Sequence, residues 1–357
     1  MRWVTALVLA ACQPARAPAP SPPEQATLLA ARDLGDTAAM RAHGWKLWRR
    51  IQDSWETWPR SDVVFGGIDR IFRELQAIKV GDLMEVETAP LMFAVIFDPV
   101  AAKHVTDHRL ARRDTLRGDA DRVVAEFPRG AITLKSIWFP VHRDRATELP
   151  IWDGEAARRE GNPTRTWSRH VVVDPSGADE PTSGAIDELI DGVHHVPLDA
   201  FIYRTLTSRD EVLAAQRVAR DPTLAIGDYV ILVGMHISTK EIPDWVWTTV
   251  WWHDRPDEGQ YAAGRPASLE GAARSYLLDI TFSANQRDGT PHAMMNPYLE
   301  ARFPDGVHSN CLSCHRRAGF GTLEYLPVTR GDTAPDDPYF ADKVQTDMVW
   351  SLALEAR

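Results

Sequence analysis

Cys311-Leu312-Ser313-Cys314-His315 constrains this chain more than any other stretch, because it points to a group that the amino acids themselves do not supply. Cys-x-x-Cys-His is the spacing at which a c-type haem is joined to a polypeptide. Two sulfurs three residues apart can form thioethers to one porphyrin edge, and the histidine that follows is placed to ligate iron from the proximal side. Only 42 residues follow His315 in a chain of 357. A small cytochrome c domain opens on its motif, whereas here the motif comes near the end.

Two other chemistries use paired cysteines. A structural zinc site needs a second ligand pair, but the remaining cysteine, Cys12, stands alone near the N-terminus and no His-x(3–5)-His follows His315. His104 and His108 have helical spacing, about 200 residues upstream. A redox dithiol belongs early in a βαβ unit. One covalent haem c per chain, on Cys311, Cys314 and His315, is therefore the expectation.

The N-terminus predicts export. Met1-Arg2 is followed by a short apolar run, Val4 to Ala11, well under the roughly 20 residues that a bilayer span requires and suited to a signal h-region. Residues 1–11 are read as the signal, and Leu9-Ala10-Ala11-Cys12 resembles a lipoprotein box in which Cys12 is lipidated. Residues 12–25, rich in Pro and Ala, then form a semi-rigid tether. Acyl chains on one cysteine anchor a protein firmly, since each buried methylene contributes about 0.8 kcal/mol. An ordinary secretory cleavage after Ala15-Arg16-Ala17 is the alternative, leaving a soluble periplasmic protein. Either route agrees with haem c, which bacteria attach outside the cytoplasmic membrane. The expected place is the periplasmic side of a bacterial membrane, most simply the outer one.

Fifty acidic against 40 basic side chains give a net charge of −10, which argues against non-specific nucleic-acid binding. No Walker A loop, Gly-x-Ser-x-Gly elbow, His-Glu-x-x-His or dinucleotide fingerprint occurs in the sequence. Asp254, Asp257 and Glu258 lack calcium-loop spacing and read as a solvated turn.

The pattern predicts an α+β fold: a β-rich antiparallel body with N-terminal helices and a C-terminal haem-c segment. It divides into an N-terminal α+β region, 26–225, and a hairpin and haem-binding region, 226–357. Trp45, Trp48, Ile51 and Trp55 share one face of a helical period between Glu24 and Gln76, a packing stripe. From Met84 to Val173 short β-branched runs, Leu91–Phe97, Ala131–Val141 and His170–Val173, predict strands. Arg109 to Arg122 and Glu155 to Arg169 read as polar connections, and His194-His195 as loop. Tyr229 to Ile237 and Trp245 to Trp252 predict a buried antiparallel hairpin, with Trp245, Trp247, Thr249, Trp251 and His253 on one face. A further β pair is expected around Ser275–Phe282. Phe340, Val344, Met348 and Leu352 at i, i+4 spacing predict a terminal amphipathic helix.

Two stretches carry a resemblance. One is Gly227-Asp228-Tyr229, Gly234-Met235-His236, Lys240-Glu241-Ile242, Trp245-Val246-Trp247 and Trp251-Trp252; the other is Asn296 to Glu300 with Ser309 to Ala318. They resemble exported bacterial proteins labelled "cytochrome c family protein", over roughly Gly130 to Gly319. The resemblance implies one haem c and no particular reaction. A weaker similarity is to cytochrome P460, whose β-rich body precedes a C-terminal haem motif and whose haem is cross-linked to a lysine. Here Lys135 and Lys240 sit in strand context, without a motif that matches either to that role.

A distal ligand would come from His236, His253, His292, His308, Met294 or Met295 upstream, or from Met348. His236 is the preferred metal ligand, because a histidine on an apolar strand needs partners for its ring nitrogens; an open distal face is the alternative. Arg316 and Arg317 could pair with haem propionates or face solvent. Electron transfer to a periplasmic redox partner is the first functional expectation. A haem-dependent redox enzyme, peroxidase-like or P460-like and acting on a small-molecule substrate, is the second; a haem-based sensor is the third.

Overall fold

The computed structural model describes residues 22–67, 73–74, 91–118, 121–152, 154, 167, 169–175, 194–302, 306–321 and 331–357. The expected signal, Cys12, the tether as far as Ser21 and most of Glu155 to Arg169 lie outside them. Among the described residues no helix is long and apolar enough to cross a membrane.

The chain enters through α1 (Pro22–Leu34) and α2 (Thr37–Ile51). The last residues assigned to the tether are thus helical, since proline is tolerated in a first turn whose N–H groups have no intrahelical acceptor. Asp36 caps α2 by accepting a hydrogen bond from the Ala39 N–H at 3.0 Å. The tryptophan stripe is packing: Trp45, Trp48 and Ile51 lie in α2, Trp55 in the following 3₁₀ turn, and all four are buried. Trp48 donates its indole N–H to the Ala273 carbonyl at 3.0 Å. A short α3 (Ser61–Val64) follows.

The body is a mostly antiparallel sheet, as expected. It comprises β1 (Arg73–Glu74), β2 (Met92–Phe97), β3 (Ile132–Val141), β8 (Tyr229–Thr239), β9 (Val246–Trp252) and β10 (Tyr276–Thr281), side by side in that order. A further strand, β7 (Tyr203–Thr205), pairs with the first residues of β8, and β9 with the later ones. A smaller sheet holds β4 (Thr147–Pro150), β5 (His170–Asp174) and β6 (His194–Pro197), so His194 and His195 stand in a strand rather than a loop. Strands from both sides of residue 225 share the main sheet. The Ser275–Phe282 stretch adds one strand beside β9 instead of a separate pair.

Three further helices, α4 (Pro99–Asp107), α5 (Arg113–Arg117) and α6 (Arg209–Ala219), connect these strands. Asp98 caps α4 through the Ala101 N–H at 2.7 Å and also accepts from the Ile132 N–H at 3.0 Å, tying helix to β3. Helix α5 lies in the stretch expected to be a polar connection. The C-terminal part carries α7 (Cys311–His315), β11 (Gly319–Phe320), β12 (Val344–Gln345) and α8 (Trp350–Glu355). The expected terminal helix is therefore broken up. Phe340 ends a 3₁₀ turn, Val344 is in β12, and Asp347 and Met348 take left-handed φ values of 46° and 67° that no α-helix accommodates.

The main sheet separates two cores. Met92, Ala94, Leu134, Met235, Val250 and Leu278 belong to one apolar cluster with Trp45 and Trp48 of α2. Trp245, Trp247, Met294, Cys311, Leu312 and Val344 belong to the second.

Candidate haem-attachment site

Helix α7 explains the spacing of its motif. Residues at i, i+3 and i+4 share a helical face, which groups Cys311, Cys314 and His315; Cys311, Leu312 and Ser313 are buried, and Cys314 is exposed. Asn310 caps the helix, its side-chain oxygen accepting from the Leu312 N–H at 2.9 Å. Its amide donates to the carbonyls of His292 at 2.8 Å and Ser283 at 3.3 Å. The Met294 backbone bonds to Ser309 at 2.8 Å. A five-residue helix has little stability alone, so these bonds fix it to the segment after β10.

The sheet beneath carries a polar row. Lys135 on β3 pairs with His236 on β8, His236 with Thr249 on β9, and Thr249 with Asp279 on β10. Directly paired residues in antiparallel strands point to the same face. Along β8, Gly234 lies two residues before His236 and faces the same way. A Cβ there would come within 2.7 Å of the Asn296 amide nitrogen, so glycine is what lets Asn296 lie flat on the sheet. Asn296 then donates to Thr249 Oγ1 at 2.8 Å and to the Val250 carbonyl at 2.9 Å. Its own N–H donates to Glu300 Oε2 at 2.6 Å.

Glu300 faces His236, with Oε1 3.2 Å from Nε2, while the other ring nitrogen, Nδ1, is 3.5 Å from Cys311 Sγ. The structure thus places His236 beside the first cysteine, with a neighbour at each nitrogen. Burial works against ionisation of Glu300, but His236, the Asn296 N–H and Lys135 outweigh it and hold its carboxyl below the usual range. Lys135 Nζ lies 5.1 Å from the centre of the Phe93 ring.

His315 is held from two directions. Its Nδ1 is 2.8 Å from the Met348 carbonyl, and the Trp247 ring centre lies 4.3 Å from its own at 43°. A bond to a carbonyl makes Nδ1 the protonated nitrogen and leaves Nε2 as the lone-pair donor. Burial is the main cause that brings the imidazole down to about 4, with His236 and Lys135 acting the same way against the Met348 carbonyl and Glu300. His315 is therefore neutral at physiological pH, the form a metal ligand needs. Burial, then Glu300, raise the Cys311 thiol well above its ordinary value. Cys314 opens to solvent on one side, yet desolvation by the surrounding protein and the charge of Glu300 raise it too. Both are thiols at neutral pH, neither paired in a disulfide.

The other candidates scatter. His253 is engaged elsewhere, Nε2 lying 3.2 Å from the Trp152 carbonyl and Nδ1 accepting from the Arg255 N–H at 3.0 Å. His292 Nδ1 is 3.2 Å from Thr281 Oγ1, and His308 is exposed. Met294 is buried beside Cys311, its carbonyl 3.9 Å from Sγ, whereas Met295 packs in the other core. Met348 contributes its carbonyl to His315. Arg316 lies 3.0 Å from both Asp244 and Asp332, and Arg317 donates to Thr333 Oγ1 at 3.1 Å, so both arginines already have protein partners. Lys240 is buried away from the row, bonded to Asp347. The rings of His104 and His108 are 4.4 Å apart, and His104 Nε2 lies 3.0 Å from the Ala125 carbonyl. Among the described residues, no three His, Cys, Asp or Glu side chains are grouped to hold a bare metal ion.

Sequence reasoning named Cys311, Cys314, His315 and His236, but assigned no role to Trp247, Asn296 or Glu300. The period-2 pattern put Trp247 on the Thr249 face; nothing local marked Glu300 as the neighbour of a histidine 64 positions earlier. Comparison with protein-family models, with curated proteins and with solved structures returned no match for the chain.

Proposed function

We propose that this chain is an exported, membrane-tethered c-type cytochrome. One haem c is bound through thioethers at Cys311 and Cys314 and ligated by His315, and it passes electrons to a periplasmic redox partner. The observation that carries the reading is that α7 groups Cys311, Cys314 and His315 on one helical face, with the Nδ1 of His315 committed to the Met348 carbonyl. The helix brings two thiols and one neutral imidazole nitrogen to the same side, the donor set that thioether attachment and axial ligation require. When bound, the haem supplies a one-electron couple. The protein's part is to orient His315, to cover one side with Trp247 and to set the local charge through Lys135, His236 and Glu300.

A second reading is favoured by the buried His236–Glu300 pair. A carrier has no need of a proton-holding couple beside its cofactor, whereas an enzyme acting on a small molecule does. His236 would then hold or move a proton at Nε2 rather than bind iron. As a distal ligand it would have to leave Glu300. The lysine facing this row is Lys135, which makes it, rather than Lys240, the residue to examine for a P460-like link.

Cys311→Ala and Cys314→Ala are expected to abolish stable haem c, and pigment that extracts from the wild-type protein into acidified organic solvent would overturn the attachment. A visible spectrum of the reduced protein with and without carbon monoxide separates the readings. No change favours the carrier, and a carbon monoxide complex favours the enzyme. An unchanged ferric spectrum in His236→Ala would remove that residue as an axial ligand. Cys12→Ser is expected to release the protein from membranes, and retention there would sink the lipid anchor.

A further inference from the structure

Six non-glycine residues among those described have left-handed backbone angles, and three of them meet behind His315: Trp245 at φ 60°, Asp347 at 46° and Met348 at 67°. Such angles are costly for residues with a Cβ and persist where surrounding contacts impose them. Here the contacts are visible. Lys240, at 2% exposure, donates from Nζ to Asp347 Oδ1 and to the Pro243 carbonyl, each at 2.7 Å. The same ammonium lies 3.0 Å from Glu126 and 5.5 Å from the centre of the Trp245 ring. Trp245 donates its indole N–H to Asp347 Oδ1 at 3.4 Å, and the Phe127 N–H donates to Oδ2 at 2.8 Å. The β8–β9 turn and the segment after β12 are thereby locked at one buried carboxylate. Each presents one group to His315: the turn's strand its Trp247 ring, the segment its Met348 carbonyl.

We infer that Lys240 and Asp347 are positioning residues for the proximal ligand. The pair holds residues 347 and 348 in the left-handed conformation that turns the Met348 carbonyl toward His315 Nδ1, and so sets the tautomer and ring angle of the imidazole. This rests on His315 being that ligand. A carbonyl bonded to Nδ1–H increases the basicity of the ligating nitrogen, so a loosened brace weakens the iron–histidine bond and favours the reduced state.

The test uses full-length holoprotein. Asp347→Asn keeps the side-chain shape and tolerance of left-handed backbone but removes the charge. Lys240→Met removes the cation at similar length and leaves Asp347 its bonds from Phe127 and Trp245, so it serves if the first variant fails to fold. Trp48→Ala, in the opposite core, controls for loss of stability alone. With covalent haem confirmed by mass, either brace variant is expected to raise the midpoint potential and, where the ferrous haem is five-coordinate, to lower the iron–histidine stretching frequency. Lys240→Arg and Trp48→Ala are expected to leave both at wild-type values. Brace variants that lose stability while keeping the wild-type frequency and potential would overturn the positioning role. A wild-type protein without covalent haem would instead overturn the underlying reading.

Discussion

Gly234 and Glu241 show how single residues hold the two faces of the sheet. Gly234 leaves room for Asn296, whose amide nitrogen would be 2.7 Å from any added Cβ. Gly234→Ala forces either Asn296 off Thr249 and Val250 or β8 away from it, at about 1–3 kcal/mol. Denaturant unfolding is expected to show that loss, and Asn296→Ala in the same background should recover part of it by making room. Glu241 is fully buried, with Oε2 accepting from Thr239 Oγ1 at 2.7 Å and lying 2.8 Å from His43 Nε2. Burial opposes its charge, but His43, Thr239 and Arg50 outweigh that and lower its carboxyl below the ordinary glutamate value. A carboxylate depressed in the folded state stabilises above its unfolded value, and that contribution is lost as pH falls through the folded one. Glu241→Gln is therefore expected to be less stable than wild type at neutral pH, with the gap closing only as the pH falls below the ordinary glutamate range. Thermal midpoints of the two proteins across that range check the sign; a gap that widened in acid would contradict it.

Helix α7 is an element that its own residues do not sustain. Five residues make barely more than one turn, and the Asn310 side chain supplies the cap at one end and two bonds to neighbouring backbone at the other. Asn310→Ala removes all three and is expected to cost about 1–2 kcal/mol. In a host with an active maturation system it should also lower the fraction of chains carrying haem, read as haem absorbance per unit protein. Equal loading at equal expression would show that α7 is held without the cap. What was legible in the sequence at this scale was local. The β8–β9 hairpin and the α2 tryptophan stripe announce their periods within a dozen residues, and both stand in the structure; the motif announces its spacing, which falls on α7. The terminal helix failed because i, i+4 spacing at Phe340, Val344, Met348 and Leu352 counts only apolar positions. The pattern cannot register that Asp347 is drawn out of helical geometry by Lys240, more than a hundred residues away. Glu300 was invisible for the same reason: its partner His236 is brought to it by the sheet.

At the scale of the whole molecule, the sheet divides labour between its faces. The N-terminal helices cover one side, where Trp48, fully buried, packs its ring 5.2 Å from that of Tyr276 and anchors its indole N–H to Ala273. The C-terminal segment covers the other, where Cys311, Leu312, Trp245 and Trp247 form the core around the motif. Both cores share the same strands, so global stability is common property while the surroundings of His315 are not. Trp48→Ala removes a large buried side chain and is expected to cost about 3–5 kcal/mol, lowering the thermal midpoint by several degrees. The folded fraction should keep the wild-type visible spectrum, because the groups against His315, the Trp247 ring and the Met348 carbonyl, lie on the other face of the sheet from Trp48 and the intervening strands are fixed by ladder bonds. Trp247→Ala makes the opposite comparison. It removes a ring of the same size from the second core, and the ring centre that lies 4.3 Å from that of His315 goes with it. A similar loss of stability is expected, now accompanied by a shifted spectrum. Spectra that moved equally in the two variants would mean that the sheet transmits packing changes from face to face, and that the core around His315 is not set independently of the helices behind it.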